Sequence, residues 1–303
     1  MRWQDGRESS NIEDRRGRGG RRGGGLPLGG GRLGIGTIIA IVIGGWLFGI
    51  NPLTLLGILG GADMVAPQAE YTRPAPQGGQ PGSAAPSGQA DEARRFVSVV
   101  LASTEDVWQK IFQQSGARYS PPTLTLFTQA TPTACGTGQA GAGPFYCPAD
   151  RKIYIDLSFF RVLQRQLGAS GDTAEAYVIA HEVGHHVQNL TGTLQKMEQA
   201  RRQMSERQYN ALSVRLELQA DCYAGIWAHH SQQARQWFDP SDIQEAMNAA
   251  TAVGDDNIQR RTQGHVHQES FTHGSSQQRL TWFRIGYETG SVARCDTFAQ
   301  AQP

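Results

Sequence analysis

Eighteen consecutive residues without a charge, from Leu33 to Ile50 (LGIGTIIAIVIGGWLFGI), divide this chain before any other feature is considered. As a helix at about 1.5 Å per residue they span roughly 27 Å, enough to cross the hydrocarbon core of a bilayer. The chain stays apolar past Asn51 and Pro52 to about Leu59. One transmembrane helix is therefore expected within 33–59, with its core at 33–50. The flank sets its orientation. Residues 1–32 carry eight arginines (Arg2, Arg7, Arg15, Arg16, Arg18, Arg21, Arg22 and Arg32) against four acids, and such flanks stay cytoplasmic. This reading makes 1–32 a cytoplasmic tail and puts the bulk of the chain on the far side of a single pass. A cleaved signal peptide fits less well, because its apolar stretch is normally about 7–15 residues and ends in a small-x-small site. Met64-Val65-Ala66 matches that pattern weakly. The same arginines do not argue for nucleic acid, since the membrane rule already accounts for their charge.

Residues 60–92 are rich in proline and glycine (Pro67, Pro74, Pro76, Pro81, Pro86) and read as a linker that buries little. One folded domain is expected over 93–303, long enough for a single core. Apolar periodicity predicts a helix over Ala93–Gln114, a strand over Thr123–Thr128 and a second strand over Lys152–Phe160 that runs into a turn or helix start. Further helices are expected over Ala174–Leu190, Leu194–Met204, about Ser205–Gln233, Pro240–Val253 and Ser275–Gly286. Asp172 with Glu175 reads as a capping box that opens the first of these. The fold class is α+β, mainly helical with a small sheet. None of the four cysteines forms a C-x-x-C pair, which disfavours a thiolate zinc site. Cys135 and Cys147 flank the glycine-rich loop GTGQAGAGPFY and are the favoured bridge; Cys222 and Cys295 are the remainder.

Residues 181–185 read HEVGH within the helix expected from Ala174. Positions i and i+4 share a helix face, so His181 and His185 can offer imidazole nitrogens to one metal ion. Glu182 falls beside them, placed to accept a proton from water at the metal. Apolar neighbours in YVIAHEVGH favour a partly buried site over two surface histidines. His186 lies about 100° round the helix from His185 and is read as a supporting or surface residue, not a ligand. A third histidine in the pattern H-E-x-x-H-x-x-G-x-x-H is excluded, because those positions hold Gln188 and Thr191. Glu217 and Asp221, four apart in ELQAD, supply carboxylates on one helix face instead. Glu217 would complete a His₂Glu set for Zn²⁺ with a position open for water, and Asp221 would accept the other ring N–H of a ligand histidine; the reverse assignment of the two acids stays open. Near the C-terminus His273 is a candidate to stabilise the oxyanion of a tetrahedral intermediate. An ordinary loop role fits it equally well, and His265 and His267 are weaker candidates for the same task.

With these residues assembled, HEVGH followed by E-x-x-x-D resembles the gluzincins, the thermolysin-like zinc peptidases. ELQAD with THGSSQQR is similar to membrane CAAX-processing and heat-shock membrane metalloproteases. A closer resemblance is to the family named putative neutral zinc metallopeptidase, found among bacterial inner-membrane proteins. It is carried by MRWQDGRESSNIEDRRG, the single apolar segment, CGTGQAGAGPFYCPADRKIYIDLSFF, AHEVGHHVQ, LELQADCYAGIWA and FTHGSS. The resemblance implies a zincin-like domain that hydrolyses peptide bonds with Zn²⁺. It implies Glu217 as third ligand, Asp221 in support, and His273 with Arg279 near the substrate. It also implies an inner-membrane location with the catalytic domain outside the cytoplasm, and a protein or peptide substrate. The class suggests that an extended substrate pairs with a strand edge, for which Lys152–Ile155 is the candidate. Two other functions remain: a zinc-containing envelope module that binds without cleaving, and a zinc amidohydrolase acting on cell-wall peptides. The number of subunits is not readable from the sequence.

Overall fold

The structure is a computed structural model that describes residues 1–17 and 87–299. A four-stranded mixed sheet, ordered β1-β2-β6-β5, is built from β1 (Ile12–Asp14), β2 (Thr123–Phe127), β5 (Phe145–Cys147) and β6 (Lys152–Asp156). β1 runs parallel to β2 and β2 parallel to β6, while β5 is antiparallel to β6. A separate hairpin pairs β3 (Ala130–Thr133) with β4 (Gly136–Gln139), and the Cys135–Cys147 bridge ties its turn to β5. Eight α-helices complete the described residues: α1 (Ser87–Gln114), α2 (Ser158–Arg165), α3 (Asp172–Leu190), α4 (Thr193–Arg201), α5 (Glu206–Arg235), α6 (Pro240–Ala252), α7 (Asp255–Gln263) and α8 (Ser276–Thr289). The domain is α+β with a small sheet, as its periodicities predict.

Burial explains which helix sits at the centre. Most of α3 is buried on every side, from Thr173 to Gln188 with few gaps. A helix buried all round lies inside a core rather than on it, and α3 is enclosed by α1, α5, α6 and β5. Its N-terminus is not closed by a capping box. The N-cap is Gly171, with φ at 106° and no side chain to cap with. Glu245 of α6 accepts from the Thr173 N–H (3.3 Å) instead, and the Asp172 carboxylate accepts the Trp3 indole N–H (2.8 Å).

That last bond introduces the main departure from the sequence reading. Residues 1–17, expected in a tail apart from the domain, are part of it. Trp3 is 4% exposed and stands edge-on to Phe96. The Met1 ammonium pairs with Asp242 at 2.8 Å, and β1 adds a strand to the sheet. Three of the counted arginines are paired within the fold, one of them with acids outside the segment. Arg7 meets Glu105 and Asp106, Arg15 meets Glu13, and Arg16 meets Asp14. In the folded arrangement residues 1–17 pack directly on the domain. The apolar segment 33–50 and the linker lie outside the described residues. Among the described residues no helix is long and apolar enough to cross a membrane.

Candidate metal centre

Two close helix approaches build the site. Where α3 crosses α5, a Cβ on Gly184 would lie 3.0 Å from both the Cα and the carbonyl oxygen of Ala220. The glycine inside HEVGH thus lets the histidine-bearing helix sit against the helix that carries Glu217 and Asp221. On the other side of α5, Gly225 faces Gly286 of α8 so tightly that a Cβ on either would strike backbone atoms. This second contact carries Arg279 to Asp221. A single disulfide, Cys222–Cys295, ties α5 to the C-terminal turn beside it.

Ligand-type atoms of His181, His185 and Glu217 all lie within 4.8 Å of one another. His181 Nε2 is 3.1 Å from Glu217 Oε2, and His185 Nε2 is 3.4 Å from Glu217 Oε1. The opposite ring nitrogens are already committed. His181 Nδ1 donates to Asp221 Oδ1 at 2.8 Å, and His185 Nδ1 donates to Gln188 Oε1 at 2.9 Å. With Nδ1 protonated, a neutral ring would turn its Nε2 lone pair toward a carboxylate oxygen. That arrangement is repulsive unless a second ring proton or a metal cation stands between the groups. Two ligand atoms held about 2 Å from one tetrahedral ion are themselves about 3.3 Å apart, near the two ring-to-carboxylate distances, which run to different oxygens of Glu217. The residues fit Zn²⁺, and the fit rests on their own hydrogen bonding.

Electrostatics agree. Burial works against ionising Glu217, but His185 and His181 outweigh it and hold the carboxyl well below its usual range. Burial likewise opposes charge on His181, yet Asp221 and Glu217 raise that ring to about 9. The anionic side of the site thus attracts either a proton or a metal, and the two compete. Behind His181, Arg279 grips Asp221 through two bonds of 2.8 and 2.9 Å and donates to the Val253 carbonyl at 3.1 Å. The Tyr177 hydroxyl also donates to Asp221. Arg279 is 4% exposed and stands behind the ligand group.

Glu182 differs from its neighbours. It is buried, and no hydrogen bond or ion pair to it exists among the described residues. Burial raises its pKa, opposed by His185 and His181. An unpartnered carboxyl beside three ligand atoms is free to hold water. His273 is held by Asp255 of α7, which accepts both the ring Nδ1–H (3.1 Å) and the backbone N–H (2.7 Å). Its side chain is 43% exposed, with Nε2 left unbonded. Burial opposes a proton on it, while Asp255 and Glu217 favour one, for a net rise. His265 and His267 are exposed residues that pack on each other and make no ring contact with the ligand group.

The family model described as putative neutral zinc metallopeptidase matches residues 1–298. The chain belongs to this family. The match includes residues 1–17, the segment that packs on the domain. Among its relatives, "Uncharacterized protein YpfJ" of Escherichia coli K12 is 45% identical over 99% of this chain and all of its own length. "Uncharacterized protein Rv2575" of Mycobacterium tuberculosis is 43% identical over 69% of this chain and 73% of its own length. No solved structure matches.

Several residues of this candidate metal site escaped the sequence reading. Tyr177 lies four residues before His181 and Gln188 three residues after His185, so helical spacing alone could have found both. Asp255 gave no such signal, because its partner is brought by another element. His186 is fully buried rather than a surface residue. Its Nε2 donates to the Ser120 carbonyl (2.7 Å) and its Nδ1 accepts from the Tyr146 hydroxyl (3.0 Å), and burial lowers its pKa to about 4. The strand expected as an open edge is corrected too. β6 is flanked by β2 and β5, and the free edge on that side belongs to β5, whose Tyr146 is bonded to His186 beside the ligands.

Proposed function

We propose that this chain is a zinc-dependent endopeptidase of the bacterial envelope, held at the inner membrane by its apolar segment, with Glu182 as general base. His181, His185 and Glu217 would hold the ion. When bound, zinc polarises a carbonyl and makes water acidic enough to deprotonate near neutral pH. Glu182 accepts the proton of the attacking water and then delivers it to the leaving amine nitrogen. Its raised pKa suits both halves of that transfer. His273, with Nδ1–H given to Asp255, turns Nε2 toward the open side; carrying a proton there, it donates to the developing oxyanion. Asp221 and Arg279 hold His181 in the tautomer that leaves Nε2 free. The unpaired edge of β5 offers backbone groups to an extended peptide. Two disulfides support an oxidising location outside the cytoplasm.

The observation that carries this reading is Glu182, a buried carboxyl without a partner beside a preformed His₂Glu set. A binding module would need the ligands but not the base. The test measures bound zinc by elemental analysis and cleavage of an unfolded protein, for the full chain and for Glu182→Gln. Stoichiometric zinc in both, with cleavage at least ~10³-fold lower in the variant, supports the proposal. Zinc in both without cleavage of protein in either would replace it with a binding role or with an amidohydrolase, separated by assay on cell-wall peptides. Absence of zinc would remove the site.

A further inference from the structure

We infer that Gln188 is a positioning residue for the second zinc ligand, and that Gln219 locks it. This rests on the zinc site proposed above and extends it. Both side chains are buried, at 0% and 7% exposure. Gln219 Nε2 donates to the Cys295 carbonyl at 3.0 Å. That oxygen can only accept, so it fixes which end of the Gln219 amide is which. Gln219 Oε1 then faces Gln188 Nε2 at 3.2 Å, and the same amide nitrogen donates to the Leu216 carbonyl at 2.7 Å. Gln188 Oε1 is left to face His185 and can only accept. His185 must therefore protonate Nδ1 and present Nε2 to Glu217. Two backbone carbonyls thus dictate the tautomer of a metal ligand through two amides. One of them belongs to Leu216, next to Glu217, and the other to Cys295, bridged to Cys222 on the same helix. His181 has an anionic partner for this task; His185 has a neutral one, whose orientation needs the second glutamine.

The test uses zinc affinity of the purified full chain, measured by competition with a chromophoric chelator, beside thermal stability after metal removal. Gln188→Met should weaken zinc binding about 10–100-fold. Gln188→Glu keeps an acceptor for His185 but loses the donor to Leu216. It should retain near wild-type affinity while lowering the stability of the metal-free chain. Gln219→Met should weaken binding less, and the double Met variant should be no weaker than Gln188→Met alone, since the two act in series. Affinity that simply follows stability across the variants, or affinities all equal to wild type, would overturn the inference and leave the zinc site standing. A wild-type chain that binds no zinc would remove both.

A separate observation carries a second inference. We infer that residues 1–17 and the domain from residue 87 onward share one side of the membrane, with the N-terminus outside the cytoplasm. β1 pairs with β2 in register from Ile12 with Leu124 to Asp14 with Leu126, and the Met1 ammonium meets Asp242. Neither contact can form across a bilayer. Among the described residues every cysteine is in a disulfide, so a cysteine introduced by Ser10→Cys or Gln113→Cys, both exposed positions, gives a unique thiol. In intact cells a membrane-impermeant maleimide should label both variants equally. Labelling of Gln113→Cys alone, with Ser10→Cys reacting only after permeabilisation, would overturn the inference.

Discussion

Helix α3 holds titratable side chains in contrasting environments within a few turns. His186 is kept neutral by burial between Ser120 and Tyr146, whereas Glu182 is left without a partner. Glu175, in the first turn, has no metal to serve. Burial, with a smaller contribution from Asp172, raises its carboxyl to about 7. A folded pKa above the unfolded one means that the native state binds the proton more tightly. The associated stability is fully present below the unfolded pKa of about 4.3 and is lost as pH rises through about 7. Glu175→Gln should therefore be more stable than wild type above pH 7 by about 1–2 kcal/mol, less than the full shift because the side chain reaches some solvent. Near pH 4 the two should be equal. Urea denaturation at pH 4.5 and pH 8 checks this, and a gap that fails to open with rising pH would refute it.

At the scale of elements, the site is a matter of how closely helices approach. Gly184 lets α3 rest on α5 at Ala220, and the ligand separations depend on that distance. Gly184→Ala would force the helices apart by a few tenths of an ångström, because the opposing atoms are backbone. We expect a loss of about 1–3 kcal/mol in stability and zinc binding weakened about tenfold or more. Calorimetry and chelator competition measure the two. Gly286→Ala at the α5–α8 crossing should cost more, since its Cβ would meet the Cys222 carbonyl at 2.0 Å. Zinc affinity untouched by Gly184→Ala would show that the ligand geometry does not depend on this contact.

For the whole molecule, the first seventeen residues are structural. They add an edge strand, bury Trp3 against Phe96, and place an ammonium and an indole N–H on Asp242 and Asp172. Asp172 opens the ligand helix, so the N-terminus also braces the metal site from the end opposite to Arg279. Deleting residues 1–17 should lower the melting temperature of the chain by about 10 °C or more, on a scale where 1 kcal/mol shifts a domain of this size by about 2–4 °C. Burying Trp3 alone is worth about 2–3 kcal/mol. Thermal unfolding of the truncated chain tests it; an unchanged melting temperature would mean that the segment is dispensable.

Much of the site was legible because its ligands obey helical spacing. His181, Glu182 and His185 share one helix, and Glu217 with Asp221 share another, so the i to i+4 rule groups each set without a fold. The main helices were legible for the same reason, as runs of apolar periodicity. What sequence spacing does not contain is contact between elements. Asp255 reaches His273, Arg279 reaches Asp221, and Gly184 meets Ala220 only because separate helices pack together. Met1 to Gly17 read as a tail because a three-residue strand has too few positions to show a period, and because its partners (Glu105, Leu124, Asp172, Asp242) lie far along the chain. The sequence by itself determined which residues could bind a metal, since ligand chemistry and helical spacing are local. Only the tertiary structure decided which nitrogen each histidine offers and that residues 1–17 pack on the domain, because both are set by contacts between residues far apart in the chain.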